Sequence, residues 1–437
     1  MKVAFILGNY IRQGYPPIGV LSLAATLRKI IPNCEIKVYD VFPEISQLLT
    51  EVYDVIAFSC MSIQYPDVCI YASHLREQYH GILIIGGVHI TLTHVLPEWA
   101  DYSIYGEGEL TIAELCQFIL GETTKPLRNI HGLVYRENGN VIKTPPRELI
   151  RNLDVIPFPA WDLLDMDYYL KPNNVYGTVV DRGLSLITSR GCIYKCVYCA
   201  ASKIWNTIRF HSADYVARMV EYVVSAFGVH HIWFADDHFA LNKSRLRNIT
   251  SLLLEKQISI SAGINCRIES YDDEMAQILK DLGVKAIAVG LETGSDRMLK
   301  SIKNGSRLSV AEEKIIVERM VADGFEVHGM FMMNLPGETI DDLKQTRDFI
   351  YSLPLSKCSV AIATPYYGTE WWEIALKQGI ISDDPNDYQT LRSFNMKTMD
   401  SDRPLFKTDI PVVELKQIYD EVGAYCKQLF YFDWKNR

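Results

Sequence analysis

Cys192, Cys196 and Cys199 place three thiols within eight residues, in the stretch Ser189-Arg190-Gly191-Cys192-Ile193-Tyr194-Lys195-Cys196-Val197-Tyr198-Cys199. Three thiols this close in sequence can wrap a compact ion or cluster from a loop. Tetrahedral zinc wants four ligands, usually two separated pairs, and no partner pair accompanies this triad. A four-iron cluster held by three thiolates keeps one iron open, which is a reactive arrangement rather than a structural one. The bland alternatives are a zinc loop or three buried free thiols.

Other groups able to do chemistry lie further along. Asp236 and Asp237 close HIWFAD, Arg267 follows SAGINC, and Glu292 sits in Gly290-Leu291-Glu292-Thr293-Gly294-Ser295. Met333-Asn334-Leu335-Pro336-Gly337-Glu338-Thr339 forms a turn. Taken singly, the acids and Thr339 can cap helices and Arg267 can pair with a nearby carboxylate. His89, His94, His230, His231 and His328 are scattered and read as surface or core residues.

The elements that must position these groups are legible as alternating apolar runs. Over the first 120 residues KVAFIL, EIKVYDV, DVIAFSC, GILIIGG and DYSIYG read as strands. LSLAATLRKI, DVCIYASHLREQY and ELTIAELCQFIL show helical spacing between them, which implies a parallel sheet covered by helices. GLVYRENGNVIKTP reads as a β-hairpin. The alternation restarts with the strands LSLITS, HIWFAD, SAGINC, AIAVGLE, EVHGMFMM and SVAIAT, and DYVARMVEYVVSAF, KSRLRNITSLLLEK, DEMAQILKDL, VAEEKIIVERMVAD and IDDLKQTRDFIYSL read as the intervening helices. This predicts a partial (β/α)6 barrel with its chemistry at the C-terminal strand ends. The expected fold is therefore α/β: a sheet domain over residues 1–145 (hairpin near 132–143), a linker over 146–180, the partial barrel over 181–368 and a mostly helical segment over 369–437.

Composition narrows the function class. Hydrophobic residues at 48% and charged residues at 22% are ordinary for a globular protein. A net charge of −9 argues against non-specific nucleic-acid binding. No apolar run approaches the roughly 20 residues of a membrane span, and the N-terminus reads as a buried strand rather than a signal peptide. The ten cysteines are scattered, which points to a reducing cytoplasm with thiols used for metal.

The order of these motifs resembles the radical SAM superfamily over about residues 184–370. The resemblance implies that Cys192, Cys196 and Cys199 hold a [4Fe–4S] cluster whose open iron chelates S-adenosylmethionine (SAM). It also implies that Tyr198, Asp236, Asp237, Arg267 and Glu292 bind SAM.

Upstream, Tyr15-Pro16-Pro17-Ile18-Gly19, Ser59-Cys60-Met61-Ser62, Gly86-Gly87-Val88-His89 and Gly106-Glu107-Gly108-Glu109 follow strands. In an open parallel sheet, small residues at such ends let a flat ligand approach the backbone. Residues 1–140 resemble the Rossmann-like cobalamin-binding domain of class B radical SAM methyltransferases. The resemblance implies cobalamin contacts at Pro17, Gly19, Ser59, Met61, Gly86, Gly87, Glu107 and Gly108. Where such domains carry a cobalt-coordinating histidine loop, this chain has Asp40-Val41-Phe42-Pro43-Glu44-Ile45, with Phe42 in the histidine's place.

The family implies methyl transfer from methylcobalamin to an unactivated carbon, with a flavodoxin- or ferredoxin-like electron donor. The substrate stays open between a protein residue (such as a glutamine of methyl-coenzyme M reductase) and a natural-product intermediate. A tetrapyrrole-type cyclase or rearrangement enzyme and a non-catalytic corrinoid sensor are the other readings. A methylthiotransferase, which would use Cys34, Cys60 and Cys69 for a second cluster, is disfavoured because the tail is neither basic nor strand-rich. Tyr366, Tyr367, Trp371 and Trp372 read either as a substrate-cavity lining or as core.

Overall fold

The computed structural model describes residues 1–435 apart from 172, 176–177, 181, 206, 305, 385 and 388–404, with side chains described outside 173–180 and 430–435. The chain forms two compact units, Met1–Tyr168 with Ser382–Phe394, and Tyr169–Ile381 with Asn395–Arg437.

The first unit is a seven-stranded sheet in the order β2-β1-β3-β4-β5-β6-β7. β1 (Lys2–Leu7), β2 (Glu35–Tyr39), β3 (Val55–Ser59), β4 (Ile82–Gly86) and β5 (Tyr102–Ile104) run parallel. β6 (Leu133–Glu137) and β7 (Asn140–Lys143) add an antiparallel hairpin at one edge. Its turn residues Asn138 and Gly139 both take positive φ, at 50° and 79°, as a two-residue hairpin turn requires. Val55, Ile56, Leu83 and Ile85 are completely buried, the pattern of parallel strands covered on both faces.

Helices Ile18–Ile30, Tyr65–Arg76 and Gly108–Ile119 supply that cover. Two shorter helices, Ile45–Glu51 and Val88–Thr93, complete the crossovers. The chain reverses its direction of winding between β1 and β3, which makes their C-terminal ends the switch point at which an open parallel sheet takes a ligand. Residues 146–168, expected as linker, are packed on this unit. Leu153, Ile156 and Trp161 are buried, and the N–H of Ala160 bonds Leu21 O at 3.2 Å.

The second unit opens with two ribbons and continues as a half-barrel. β8 (Asn173–Val175) pairs with β9 (Thr178–Val180). After β10 (Gly183–Leu186), β11 (Ser189–Arg190) pairs antiparallel with β12 (Arg209–Phe210). β13 (His231–Phe234), β14 (Ser261–Cys266), β15 (Val284–Glu292), β16 (Glu326–Met333) and β17 (Lys357–Ile362) follow. The order β10-β13-β14-β15-β16-β17 is sequential and every pair is parallel, so the curled sheet is open and all six C-terminal ends share one rim.

Strand alternation sorts the faces. Ile232, Phe234, Ile264, Ile287, Val327 and Phe331 are buried on the helix-covered side, where each contributes roughly 1.5–3 kcal/mol. On the other side Trp233 packs with Ala286, Ala288 and Met330. Its indole covers Gly263, where a Cβ would lie 2.2 Å from the ring.

Tyr367, Trp371 and Trp372 are 7%, 2% and 3% exposed, so they are core rather than cavity lining. Trp371 packs with Met298, Ile302 and Phe406. The C-terminal helix, Val412–Lys435, buries Leu415, Ile418 and Val422 and lies against β17. The expectation of ten reduced cysteines needs one correction. Cys358, on the helix-covered side of β17, is joined by a disulfide to Cys426 of that helix. Periodicity alone could not bring together two residues 68 positions apart. Among the described residues no helix is long and apolar enough to cross a membrane.

Candidate functional site

The β11–β12 pair ties off the segment that carries the three cysteines, turning residues 191–208 into a closed loop. Gly191 starts it at φ 94°, and a Cβ there would lie 2.3 Å from the carbonyl oxygen of Thr207, so only glycine fits. The loop backbone is held at several points. The N–H of Val197 bonds Ile302 O at 3.1 Å, Asn304 Nδ2 donates to Lys195 O at 2.9 Å, and the N–H of Glu370 bonds Val197 O at 3.1 Å.

Cys192, Cys196 and Cys199 are free thiols of intermediate exposure. Burial raises all three thiol pKa values, Cys199 to about 11. Without metal they are therefore protonated near neutrality, and metal binding must release their protons. Among the described residues no three His, Cys, Asp or Glu groups are arranged to enclose one metal ion.

The groups at the next strand ends divide into occupied and available. Asp236, 1% exposed, accepts the Thr188 N–H at 2.5 Å, the Thr188 hydroxyl at 2.6 Å and the Ser189 hydroxyl at 2.8 Å. Its carboxylate is thereby committed to fixing the start of the cysteine loop. Asp237 is exposed and takes the Gly191 N–H.

Arg267 is also engaged. Nε and Nη2 donate to Glu269 at 3.1 and 2.6 Å, Nη1 donates to Cys196 Sγ at 3.1 Å, and the guanidinium stacks 3.7 Å from the Tyr194 ring centre. Burial works against ionisation of Glu269, yet the Arg267 hydrogen bonds carry its carboxyl down to about 2.

Glu292 adopts φ 72°, a left-handed conformation that is costly for a residue with a side chain. Its carboxylate folds over Gly290, where a Cβ would sit 2.2 Å from Oε1. Tyr198 OH donates to that Oε1 at 2.9 Å, and burial raises the Glu292 pKa. The rim thus brings Tyr198 and Glu292 into contact and joins Arg267 to Cys196. Asp236 and Asp237 sit beside the loop's first residues.

Near this rim Lys303, Glu313 and His238 carried no sequence signal, and Glu338 was read only as part of a turn. Lys303 Nζ donates to Glu313 Oε1 at 2.8 Å, with side chains only 2% and 0% exposed. Burial pushes Glu313 to about 7, and the field of Lys303 acts on Cys196, Glu269 and Glu292. His238 bonds the Ser270 hydroxyl at 2.9 Å and is depressed to about 4 by burial. Glu338, with Oε2 on the Leu335 N–H and Oε1 unpartnered, is raised by burial to about 8.

In the first unit, the residues singled out by sequence lie at the C-terminal sheet edge or just beyond it. Ser59 ends β3 and pairs in register with Gly86 at the end of β4. Gly87 has φ 101°, and a Cβ there would lie 2.5 Å from Cys60 O. Pro17 precedes the first helix, Gly19 is in its first turn with nothing near its Cβ position, and Met61 is 49% exposed.

Gly108 begins helix Gly108–Ile119. Glu107 is buried, with Oε2 accepting the Ile150 N–H at 2.7 Å, so its carboxylate serves the 146–168 segment. Phe42 lies between Tyr10 and Tyr71 at ring distances of 4.9 and 4.5 Å. It lines a groove of about 510 Å³ with Tyr10, Pro43, Ile45 and Leu49. Cys34, Cys60 and Cys69 are buried free thiols, and His89 is buried against Tyr65 with Nδ1 3.1 Å from Ser62 Oγ.

Comparison with known proteins agrees with both halves. The radical SAM superfamily model matches residues 186–350, and the B12 binding domain model matches residues 6–116. An uncharacterized methyltransferase of Pyrococcus horikoshii is 30% identical over 384 residues, covering 84% of this chain and 80% of its own. The anaerobic magnesium-protoporphyrin IX monomethyl ester cyclase of Synechocystis is 25% identical over 397 residues, covering 85% of this chain and 75% of its own.

The structure of TsrM, a radical S-adenosylmethionine methyltransferase from Kitasatospora setae with cobalamin and a [4Fe–4S] cluster bound, has the same fold. The TM-score is 0.69 at 15% identity, over 87% of this chain and 75% of that one. Fold and site therefore define the class of radical SAM enzymes preceded by a B12-binding domain. The chain belongs to the cobalamin-dependent radical SAM methyltransferase family.

That family carries a [4Fe–4S] cluster, SAM and cobalamin. The residues present suit these groups. Three soft thiols carried on one pinned loop are the donor set that such a cluster takes, with one iron left open. Gly19, with nothing near its Cβ position, and the aromatic groove at Phe42 offer a flat ligand close backbone approach and an apolar face, without an imidazole at that loop.

Proposed function

We propose that this B12-dependent radical SAM methyltransferase places a methyl group on an unactivated carbon, of either a protein residue or a natural-product intermediate. The observation that carries the reading is the glycine-started cysteine loop, pinned at the rim of the half-barrel and flanked by the Tyr198–Glu292 pair. Cys192, Cys196 and Cys199 would hold the cluster; Tyr198, Asp237 and Glu292 would contact SAM. Asp236 would act by orienting Thr188 and Ser189 rather than by touching SAM. Pro17, Gly19, Ser59, Met61, Gly86, Gly87 and Gly108 would form the corrinoid edge.

When bound, the cluster and SAM supply a one-electron route to hydrogen abstraction, and cobalamin supplies the methyl group. A flavodoxin- or ferredoxin-like protein would deliver the electron, in the cytoplasm. Such a reducing setting would also bear on the Cys358–Cys426 bond. The similarity to the Synechocystis cyclase supports a second reading, ring formation on a tetrapyrrole.

The test is anaerobic incubation of the reconstituted enzyme with cobalamin, a strong reductant and SAM deuterated on its methyl group. Deuterated methylcobalamin together with 5′-deoxyadenosine is expected. Deoxyadenosine without methylcobalamin would favour the cyclase, and the absence of both would overturn either enzyme reading.

A further inference from the structure

Arg267 was expected among the SAM contacts, but three of its five N–H donors are engaged within the protein. One terminal nitrogen donates to Cys196 Sγ at 3.1 Å, while Nε and the other terminal nitrogen are held by Glu269 at 3.1 and 2.6 Å. Tyr194 covers a guanidinium face at 3.7 Å, and the Arg267 and Glu269 side chains are 12% and 16% exposed. A cation clamped at three points against a thiol sulfur is a fixed electrostatic element rather than a substrate arm. Hydrogen bonds to cluster sulfurs and nearby net charge set the reduction potential of iron–sulfur centres. A buried positive charge favours the more negative, reduced state.

We infer that Arg267 is a positioning residue that raises the reduction potential of the cluster through Cys196, and that Glu269 moderates this effect by partly neutralising the guanidinium. The inference rests on the reading that Cys192, Cys196 and Cys199 hold the cluster. The step concerned is the transfer of one electron from the flavodoxin- or ferredoxin-like donor to the cluster. No proton moves, because the guanidinium remains charged in both states.

The experiment is a redox titration of the reconstituted full-length enzyme without SAM, followed by electron paramagnetic resonance of the reduced cluster, with iron and sulfide counted in every sample. Arg267→Gln should load iron normally but lower the equilibrium constant for reduction about tenfold, a shift of about 59 mV to more negative potential. Arg267→Lys should shift less, since it keeps the charge. Glu269→Gln should move the potential the opposite way, a sign reversal that a merely structural role would not produce.

A fully loaded Arg267→Gln enzyme with the wild-type potential would overturn the inference. If that variant fails to load, Glu269→Gln decides, and an unchanged potential there overturns it equally. A wild-type chain that binds no four-iron cluster would overturn the reading beneath it, and this inference with it.

Discussion

The carboxylate of Asp236 accepts both the backbone N–H and the hydroxyl of Thr188, at 2.5 and 2.6 Å, and so ties the end of β13 to the strand that launches the cysteine loop. Asp236→Asn keeps the shape but turns one acceptor into a donor facing donors. Leaving buried polar groups unmatched should cost about 1–3 kcal/mol. Denaturant unfolding should show the loss, and reconstituted Asp236→Asn should retain less iron than wild type.

Lys303 and Glu313 form an almost solvent-free ion pair at 2.8 Å. Removing one partner strands the other charge in the core, which typically costs about 3–5 kcal/mol. Lys303→Met should therefore be strongly destabilised, and Lys303→Met/Glu313→Leu should recover much of the loss. A double-mutant cycle of unfolding free energies checks this.

Burial raises Glu338 from 4.5 to about 8 and Glu313 to about 7. A carboxyl with a raised folded pKa binds more protons folded than unfolded, so its contribution to stability falls as pH climbs from about 4.5 to that pKa. His238 and His328, both lowered to about 4 by burial, act oppositely, but only below 6.5. Between pH 6.5 and 8 the carboxyls dominate this set, and stability should decline. Glu338→Gln should flatten the decline, as melting temperatures measured across that range would show.

The Cys358–Cys426 bond closes a loop of 68 positions between the edge strand β17 and the C-terminal helix. Loop-closure entropy assigns it about 4 kcal/mol. Reduction, or Cys426→Ser, should lower the unfolding midpoint accordingly, and thiol titration of the unfolded chain should rise by two groups on reduction.

Much of the architecture was written in local pattern. Val- and Ile-rich runs became the parallel strands of both units, and the 3.6-residue patterns became the helices over them. The missed helices Ile45–Glu51, Val88–Thr93 and Asp296–Ile302 are too short to show a period. The linker expected at 146–180 was misjudged in part because proline content hides burial. Trp161 is a core residue despite its loop setting.

At the site, the sequence by itself determined that three thiols lie within eight residues after a glycine, a covalent fact of the chain; that a closed loop presents them was decided by the β11–β12 pairing. Only the tertiary structure separated Asp236 from Asp237. Both lie past the end of β13, and the pairing of β10 with β13 brings Asp236 rather than its neighbour to Thr188. The same holds for Arg267 beside Cys196 and for Lys303 beneath the rim. Their partners are distant in sequence, and a charge carries no local mark of what it will face once the strands align.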